Sequence, residues 1–412
     1  MMSFLYNLSI RLYVFMIYLA APFNPKAAKW IRGRKALFEK LEAELHPEDR
    51  LIWVHAASLG EFEQGRPIIE SIRKTAPEYK ILLSFFSPSG YEVRKNYEGA
   101  DYVCYLPPDF PRNARRFVDI AEPEMVFFIK YEFWFNYIYY ISQKEIPLYF
   151  VSAIFRKSQH FFSFYGGWFR RQLRRVSWFF VQNEESLKLL SSVGVKHASI
   201  SGDTRFDRVW EVAQQRRDFP PVSAFCGDKP VLLAGSTWPP DEEILLQFIN
   251  RYPGSFRLII APHEIHHDRI DSLSKRMKVK TIKYSALSAD QETDADVLFI
   301  DNIGILLHLY QYARVAYIGG GFGKCIHNIL EAATFGSPVI FGPRYHKFAE
   351  ARDLISLGGA FCVHDAEELK TKACELLTDD ISHGRGSSTC SAYVEQKRGG
   401  TAIILEKAFY ET

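Results

Sequence analysis

The sequence predicts an α/β protein with two Rossmann-like, doubly wound domains facing each other across a cleft, preceded by an N-terminal membrane-associating helix. Short apolar runs alternate with amphipathic stretches, which is the pattern of parallel sheets covered by helices on both faces. The runs form two series joined by a polar, proline-containing passage at residues 214–229. At 412 residues the chain is long enough for two domains of ordinary size.

Each series contains seven candidate strands. In the first series they are residues 51–56, 81–86, 102–106, 125–129, 148–152, 178–182 and 198–201. In the second they are residues 231–234, 257–261, 281–284, 297–300, 315–318, 338–341 and 360–363. The predicted divisions are an N-terminal segment at 1–45, a first domain at 46–215, a second at 216–386 and a C-terminal segment at 387–412. A helical stretch at 392–408 is expected to cross back onto the first domain.

The composition argues against a nucleic-acid partner and against a disulfide framework. A formal net charge of only +3 gives no whole-molecule electrostatic case for a nucleic-acid partner. The six cysteines are scattered, with no CxxC pair and no metal-ligand spacing. This pattern favours reduced thiols in a cytosolic compartment over a disulfide framework.

The N-terminus departs from the composition of a soluble protein. Residues 4–21 are largely apolar, with Arg11 in their midst, and a basic run follows. A spanning helix would hold Arg11 near mid-bilayer at a cost of roughly 2.5–3.5 kcal/mol, and a cleaved signal peptide would carry its charge first. We expect a helix that lies in or dips into the membrane; a true span and a buried core helix are the alternatives. The basic run, expected to face the cytoplasm and anionic headgroups, comprises Lys26, Lys29, Arg32, Arg34 and Lys35.

Two acidic residues follow strands of the first domain at their carboxyl ends. After the first strand, Gly60 is expected to permit a tight turn, and Glu61 to open a helix at the cleft edge. A carboxylate there could act as a general base towards a hydroxyl nucleophile, or merely complement the helix dipole. Glu132 follows the fourth strand among aromatic residues. It could order a sugar or hold the first loop, or be a surface residue beside a core tryptophan.

A glycine-rich loop follows the strand at 315–318. Glycines at 319–321 and 323 would let the backbone approach a ligand, and a helix N-terminus would offer N–H groups to a phosphate. His327, Asn328 and Glu331 are expected on the first turn of that helix, where His327 and Glu331 could both face the ligand. The loop predicts nucleotide or sugar-nucleotide binding.

Other loops of the second domain offer weaker signals. Ser236 and Thr237 could hold a phosphate, although Thr237 or Asp241 could equally be a helix cap. Asn302 and Gly304 could touch a nucleotide or form a simple turn. The histidines near residues 263–267 lack a third ligand at suitable spacing, so no metal site is predicted.

Basic side chains could meet an anionic acceptor. Near the cleft side of the first domain, Arg66, Lys130 and Arg156 are weak candidates for acceptor phosphates, since most such residues are solvated surface. The four arginines within residues 170–175 favour a solvated helix face or a lipid-headgroup contact.

Taken in order, these pieces resemble the Kdo transferases, which add 3-deoxy-D-manno-octulosonic acid (Kdo) to the lipid A precursor in Gram-negative bacteria. The resemblance spans almost the whole chain. Besides the apolar N-terminus and the glycine loop, its motifs are HAASLGE at 55–61, YLPPD at 105–109, YEFW at 131–134, GDTRFD at 202–207, GST at 235–237 and DNIG at 301–304.

The resemblance implies a GT-B glycosyltransferase fold, with acceptor binding in the first domain and CMP-sugar binding in the second. It implies CMP-Kdo as donor, lipid IVA as acceptor, inversion at the anomeric centre, no metal or other cofactor, and the cytoplasmic face of the inner membrane. Glu61 matches the family's catalytic base and Glu132 an acidic residue that assists at the acceptor side. The implied donor-binding residues are Ser236, His263, Asn302, Gly304, Asn328 and, for the ribose, Glu331. Thr237, Gly320 and Gly321, from the loops described above, complete the predicted donor site.

The chain departs from the family pattern at a few positions. Pro262 stands where members commonly have arginine, Phe135 replaces a proline, and Lys324 and Cys325 interrupt the usual His-Gly-Gly. Another GT-B enzyme that moves a UDP-sugar to a lipid, and a non-catalytic nucleotide-sugar-binding membrane protein, are the alternatives. A nucleotide-sugar epimerase of similar fold fits poorly with the apolar N-terminus, because its substrate is soluble.

Overall fold

The computed structural model describes residues 1–252, 255–288 and 293–410. The chain divides into two compact units: a first unit of residues 1–208 and 398–412, and a second unit of residues 209–397. All fourteen predicted strands are present, with ends shifted by at most three residues. The expected second strand series begins, as predicted, after the passage at 214–229.

The elements of the first unit alternate between strand and helix after three N-terminal helices. They are α1 Met2–Ala20, α2 Pro25–Arg32, α3 Leu37–Glu44, β1 Leu51–Ala56, α4 Leu59–Thr75, β2 Lys80–Phe85, α5 Pro88–Arg94, β3 Tyr102–Tyr105, α6 Pro111–Ala121, β4 Met125–Ile129, α7 Phe135–Gln143, β5 Leu148–Ala153, α8 Gly167–Leu173, β6 Trp178–Val181, α9 Glu184–Ser192 and β7 Ala198–Ile200. Helix α10, Arg205–Gln214, carries the chain from the first unit into the second.

The second unit repeats the alternation. Its elements are α11 Pro220–Cys226, β8 Val231–Thr237, α12 Pro239–Arg251, β9 Arg257–Pro262, α13 His267–Arg276, β10 Thr281–Lys283, β11 Val297–Phe299, α14 Leu306–Leu309, β12 Val315–Ile318, α15 Leu330–Ala333, β13 Val339–Phe341, α16 Ala349–Leu357, β14 Ala360–Cys362, α17 Ala366–Thr378 and α18 Asp380–Lys397. Helix α19, Gly400–Tyr410, returns to the first unit.

Both sheets are parallel, and in each the strand order reverses at one point. The position of this reversal predicts where ligand-binding loops lie. The first has the order β3-β2-β1-β4-β5-β6-β7 and the second β10-β11-β9-β8-β12-β13-β14. Ligands of such sheets bind beyond the carboxyl ends of the strands where the order reverses. In the first sheet that point lies between β1 and β4, which precede Glu61 and Glu132. In the second it lies between β8 and β12, which precede Trp238 and the glycine loop.

Successive strand residues bury opposite faces of the first sheet, as the two-residue period requires. Trp53 and Phe128 belong to one apolar cluster, whereas Val54 and Phe127 belong to the other. Helix α19 adds Ile404 to the second cluster. The uninterrupted apolar runs of the sequence are therefore strands covered on both sides.

Helix α1 packs on the first unit through one side and exposes the other. The Tyr6 hydroxyl donates to the Asp109 carboxylate, and Asn136 Nδ2 donates to Asn7 Oδ1 at 2.9 Å. The exposed side carries large apolar residues: Phe4, Leu5, Leu8, Leu12, Phe15, Met16 and Leu19. Within the described ranges it is the one helix long and apolar enough to cross a membrane. Since no residue of α1 is buried, the alternative of a core helix is wrong.

One member of the predicted basic run does not face solvent. The Arg34 guanidinium donates to the carbonyls of Leu106, Trp30 and Phe86 at 2.9, 3.0 and 2.8 Å, and lies 3.8 Å from the centre of the Trp30 ring. Burial lowers its pKa to about 9. The expectation that Arg34 meets lipid headgroups is therefore wrong: it fastens α2 to the loops after β2 and β3.

The C-terminal helical stretch is two helices rather than one. Gly399, at a φ of +104°, separates α18 from α19, since glycine enters this left-handed region without steric cost. Asp207 holds the break, because its carboxylate accepts from Thr401 N at 2.8 Å and from Thr401 Oγ1 at 2.7 Å. Only α19 packs with the first unit.

Candidate active site

His55, at the end of β1, fixes the loop that carries Glu132. The histidine is fully buried, and its Nδ1 lies 2.8 Å from Ser84 Oγ on β2. Its Nε2 accepts the indole N–H of Trp134 at 3.1 Å. Because an indole nitrogen only donates, Nε2 carries no proton and the Nδ1–H points to Ser84. A neutral histidine thus anchors Trp134.

Glu132 lies beside this anchor. Its carboxylate is 3.9 Å from His55 Nε2, and its side chain is 14% exposed. The loop reaches this place through Lys130, which has a φ of +63°. Glu132 therefore lies partly buried at the carboxyl end of the sheet, close to the Trp134 anchor.

Glu61 lies in the first turn of α4, where the helix dipole favours a carboxylate. The expected tight turn at Gly60 is wrong: α4 begins at Leu59, and Gly60 is an ordinary helical residue. The Ser58 hydroxyl donates to the Glu61 carboxylate. Burial, and then the negative charge of Glu61, raise the pKa of Tyr131, which places the loop before Glu132 beside Glu61.

The basic candidates of the first unit differ in their surroundings. Arg66 Nε donates to Glu70 Oε1 at 2.8 Å, and Glu70 also accepts from Arg208 at 3.2 Å. An acceptor phosphate at Arg66 would have to compete with this ion pair. Arg156 is exposed, in the loop after β5.

Three aromatic rings meet at the carboxyl end of the second sheet. Trp238 and His263 stack with ring centres 4.8 Å apart, and His263 and His327 stack at 4.2 Å. The indole N–H of Trp238 donates to His327 Nε2 at 2.9 Å. His327 therefore carries its proton on Nδ1. Burial and the adjacent His263 lower the pKa of His327 to about 4, so the ring is neutral at neutral pH.

The glycine loop packs against this chain's own backbone. A Cβ on Gly319 would lie 2.3 Å from Ser236 O, and one on Gly321 2.6 Å from Gly342 N. The Gly320 N–H is used internally, since it donates to Asp241 Oδ2 at 2.8 Å. These contacts give the glycines a packing role, since they allow β12, β8 and β13 to end close together. That the glycines let the backbone approach a ligand stays a prediction.

The Asp241 carboxylate holds the glycine loop in place through hydrogen bonds. Its buried carboxylate accepts from Gly320 N, from the Tyr317 hydroxyl at 2.8 Å and from Trp238 N at 2.9 Å. Burial raises the pKa of Asp241, and these hydrogen bonds oppose that effect. It therefore joins the start of α12 to the glycine loop, a larger role than the predicted helix cap.

The helix expected after the glycine loop begins later than predicted. Helix α15 starts at Leu330 and has four residues, so His327 and Asn328 precede it. Asn328 Nδ2 donates to Glu331 Oε1 at 3.1 Å, and Asn328 Oδ1 accepts from Leu330 N at 3.2 Å. The expectation that His327 and Asn328 share a helical turn with Glu331 is wrong, but the loop still brings Asn328 to Glu331.

The remaining donor-site candidates occupy two loops. Ser236 has a φ of +54° at a register shift in β8, while Thr237 is buried and its hydroxyl donates to Glu242 at 3.1 Å. Thr237 is therefore engaged in holding α12. Asn302 and Gly304 are exposed in the loop after β11, with Gly304 at a φ of +98°.

Sequence reasoning missed two partners that build these sites. Trp134 was noticed as part of a motif, but its bond to His55 was not foreseen. Trp238 was not considered, although an aromatic residue directly after Ser236 and Thr237 was a visible signal. Each tryptophan forms a hydrogen bond with a histidine that is distant in sequence. Trp134 and His55 are 79 residues apart, and Trp238 and His327 are 89 residues apart.

A family model described as 3-deoxy-D-manno-octulosonic-acid transferase (kdotransferase) matches residues 31–208. Curated relatives with the name 3-deoxy-D-manno-octulosonic acid transferase extend the similarity through the second unit. That of Aquifex aeolicus is 28% identical, covering 79% of this chain and 86% of the relative, and that of Rickettsia bellii is 27% identical, covering 90% and 92%.

Solved structures agree on the fold. UDP-GlcNAc 2-epimerase from Neisseria meningitidis, bound to UDP-GlcNAc, superposes with a TM-score of 0.59 at 16% identity, covering 87% of this chain and 99% of that chain. The calicheamicin glycosyltransferase CalG4 gives a TM-score of 0.55 at 11% identity, covering 88% and 98%. Two doubly wound parallel units with such neighbours confirm the GT-B fold class. Together with the relatives of the same name, the fold and the motifs show that the chain is similar to the 3-deoxy-D-manno-octulosonic acid transferases along most of its length.

Proposed function

We propose that this protein is an inverting glycosyltransferase that moves Kdo from CMP-Kdo to a hydroxyl group of a lipid A precursor, lipid IVA, without a metal. The observation that carries the proposal is the similarity to Kdo transferases along most of the chain. The place of Glu61 and Glu132 beside the strand-order reversal supports it, since this is where a parallel sheet binds substrates.

In the proposed reaction Glu61 takes the proton of the acceptor hydroxyl. The oxygen attacks the anomeric carbon of Kdo from the face opposite the phosphate, a new C–O bond forms, and the bond to the phosphate oxygen breaks. CMP leaves with the bonding electron pair. The Ser58 hydroxyl, which donates to the Glu61 carboxylate, orients this base before the substrate arrives. Glu132 and the anchored Trp134 order the acceptor sugar.

The second unit is proposed to hold CMP. A single phosphate develops extra negative charge as CMP departs, and fixed N–H donors stabilise such charge without rearrangement. The His327 Nδ1–H is one such donor, because its tautomer is set by Trp238. Ser236, His263 and Asn302 are further proposed contacts, and Glu331, bonded to Asn328, is proposed to accept from the ribose hydroxyls.

The membrane partner follows from the acceptor and from α1. The exposed apolar side of α1 is suited to the interfacial region of a bilayer, where a lipid-linked hydroxyl would be presented. We propose that the protein works on the inner membrane at its cytoplasmic face, and that Lys26, Lys29, Arg32 and Lys35 contact anionic headgroups there.

One assay tests the activity. The protein is incubated with CMP-Kdo and tetraacylated lipid A precursor, and the mass of the product gives the number of Kdo groups added. Glu61→Gln is expected to lower the rate by roughly 10²–10⁴-fold, because an amide cannot take up the proton. Glu63→Gln, on the same helix and in an ion pair with Arg94, is the matched control and should retain activity.

Three results would overturn the assignment. A folded Glu61→Gln variant with near-wild-type transfer would remove the proposed base. Absence of any Kdo addition, with product inhibition by UDP and none by CMP, would favour the UDP-sugar alternative. Nucleotide binding without turnover of any donor would favour the non-catalytic alternative.

A further inference from the structure

A cavity of about 380 Å³ lies between α1, α7 and α8 in the first unit. It is lined in part by Asn7, Asn136, Trp168, Arg171, Gln172 and Arg175. Neither Glu61 nor Glu132 lines it, so it is separate from the proposed catalytic residues. Its wall on one side is the N-terminal end of the helix whose other side is exposed and apolar.

Two guanidinium groups at this cavity lack an anionic partner among the described residues. Arg175 Nε is buried without a hydrogen bond, and its guanidinium lies over the Tyr139 ring at 4.9 Å. Arg171 is exposed at the cavity mouth and forms no ion pair within the described ranges. By contrast, the neighbouring Arg170 donates to two loop carbonyls at 3.2 and 3.1 Å. A buried N–H without a partner is costly, so a ligand that accepts from Arg175 would recover that cost.

A third donor points to the same ligand. The Gln172 side chain is only 6% exposed, lines the cavity, and makes no hydrogen bond to a described residue. Guanidinium and amide N–H groups that converge on one space match the acceptor oxygens of a phosphate. A carboxylate would satisfy fewer of these donors than a phosphate group with its several oxygens.

The apolar surroundings favour a phosphate carried by a lipid. Trp168, Tyr139 and Tyr140 line the cavity, and aromatic residues with a polar edge are typical of the membrane interface. The exposed apolar residues of α1 begin one or two positions from the cavity-lining Ser3 and Asn7. A free phosphate has no acyl chains, so it would leave the exposed apolar side of α1 in contact with water.

We propose that the cavity between α1 and α8 binds the phosphate group of an anionic glycerophospholipid, with Arg171, Gln172 and Arg175 as its ligands. The lipid tails then lie along the exposed side of α1. The site would hold the protein at one depth and orientation on the membrane, beyond the general attraction of its basic residues. It does not depend on which sugar the enzyme transfers.

The test uses the full-length protein and a short-chain phosphatidylglycerol below its micelle concentration, with binding followed by calorimetry. Saturable binding is expected, and Arg171→Gln/Arg175→Gln should weaken it by roughly tenfold or more, since two charge-assisted bonds are lost. The matched control is Arg174→Gln/Lys196→Gln, which removes the same charge from exposed residues outside the cavity. It should bind as the wild type does.

Further measurements distinguish specific lipid binding from the binding of free phosphate and from non-specific charge attraction. Arg171→Gln alone, at an exposed position that does not endanger folding, should give a smaller loss, and Arg171→Lys should restore part of it. Inorganic phosphate should bind more weakly than the lipid; equal binding would overturn the lipid assignment. Equal losses in the test and control pairs, on phosphatidylcholine vesicles that contain phosphatidylglycerol, would show non-specific charge attraction and would also overturn the proposal.

Discussion

The hydrogen bond from Trp238 to His327 decides which nitrogen of that histidine faces a ligand. At 2.9 Å the indole N–H occupies Nε2, so the ring offers a donor at Nδ1. With a pKa of about 4, lowered first by burial, the ring does not become a cation in the physiological range. The proposed phosphate contact is thus a fixed dipole whose strength does not vary near neutral pH.

Trp238→Phe tests this arrangement while keeping an aromatic ring. The N–H donor that keeps His327 Nε2 unprotonated is lost, so we expect both neutral tautomers to appear, while burial and His263 still hold the His327 pKa below its ordinary value. KM for the donor should rise several-fold, with kcat changed less. NMR titration of the histidine ring and steady-state kinetics measure these effects.

Trp178→Phe is the control for that experiment. Trp178 also donates its indole N–H, to Ser199 at 2.9 Å, but in the first unit. The control should leave both the titration of His327 and the donor KM unchanged. If His327 keeps a single tautomer with its proton on Nδ1 in Trp238→Phe, Trp238 does not set the tautomer.

The sequence named most residues of the candidate site but not the bonds between them. Glu61, Glu132, His263 and His327 stood out because they follow strands at the expected edge of each sheet. The partnerships of Trp134 and Trp238 depend on which strands are neighbours, and local patterns carry little information on that. Arg34 was misjudged because a basic residue in a basic run gives no sign that three carbonyls will surround it.

At the scale of elements, the glycine loop allows the ends of three strands, β8, β12 and β13, to pack closely together. Gly319 and Gly321 have no room for a Cβ, since Ser236 O and Gly342 N would lie 2.3 and 2.6 Å away. The obstacles are backbone atoms, which cannot rotate aside as side chains do. The loop therefore takes its shape from β8 and β13 before any ligand binds.

Gly321→Ala should destabilise the second unit by about 1–3 kcal/mol, the usual range for overpacking. The matched control is Gly323→Ala in the same loop, where a Cβ would meet only Gly320 O at 3.5 Å and at ordinary distance. Its free energy of unfolding should stay close to that of the wild type. Denaturant titration compares the two, and equal stability of both variants would refute the packing explanation.

Strands were more predictable than helix ends. Every strand was found, because runs of apolar residues buried on both faces leave a strong local pattern. Helix α15 was misplaced, since Asn328 and the glycine loop before it form turns that use side-chain bonds. The division between α18 and α19 was also missed, although Gly399 stands at the break.

At the scale of the whole molecule, the second unit is an insertion within the first. The chain leaves the first unit in α10 and returns at Arg398, after which α19 covers the sheet. Ile404 is fully buried against the same apolar cluster as Val54 and Phe127. The two series of strands predicted two domains, and the helical stretch at residues 392–408 was expected to cross back onto the first domain.

Ile404→Ala should therefore lower the stability of the first unit. The second unit, which directly precedes α19 in the sequence, should not be affected. We expect a loss of roughly 2–5 kcal/mol, with faster amide exchange in β1 and β4 and unchanged exchange in β8 and β12. Ile403→Ala is the control, because Ile403 is 44% exposed whereas Ile404 is 0% exposed. Hydrogen–deuterium exchange with mass spectrometry reads both units at once; faster exchange in β8 would oppose the assignment.

The return of α19 also orders events during synthesis. The segment that completes the first unit leaves the ribosome after the second unit has been made. Until then the patch under Ile404 and Leu405 is uncovered, and a nascent chain with such a patch is open to chaperones and to premature aggregation. Helix α1 is made before the segment that closes the first unit, so its exposed apolar side leaves the ribosome while that patch is still uncovered.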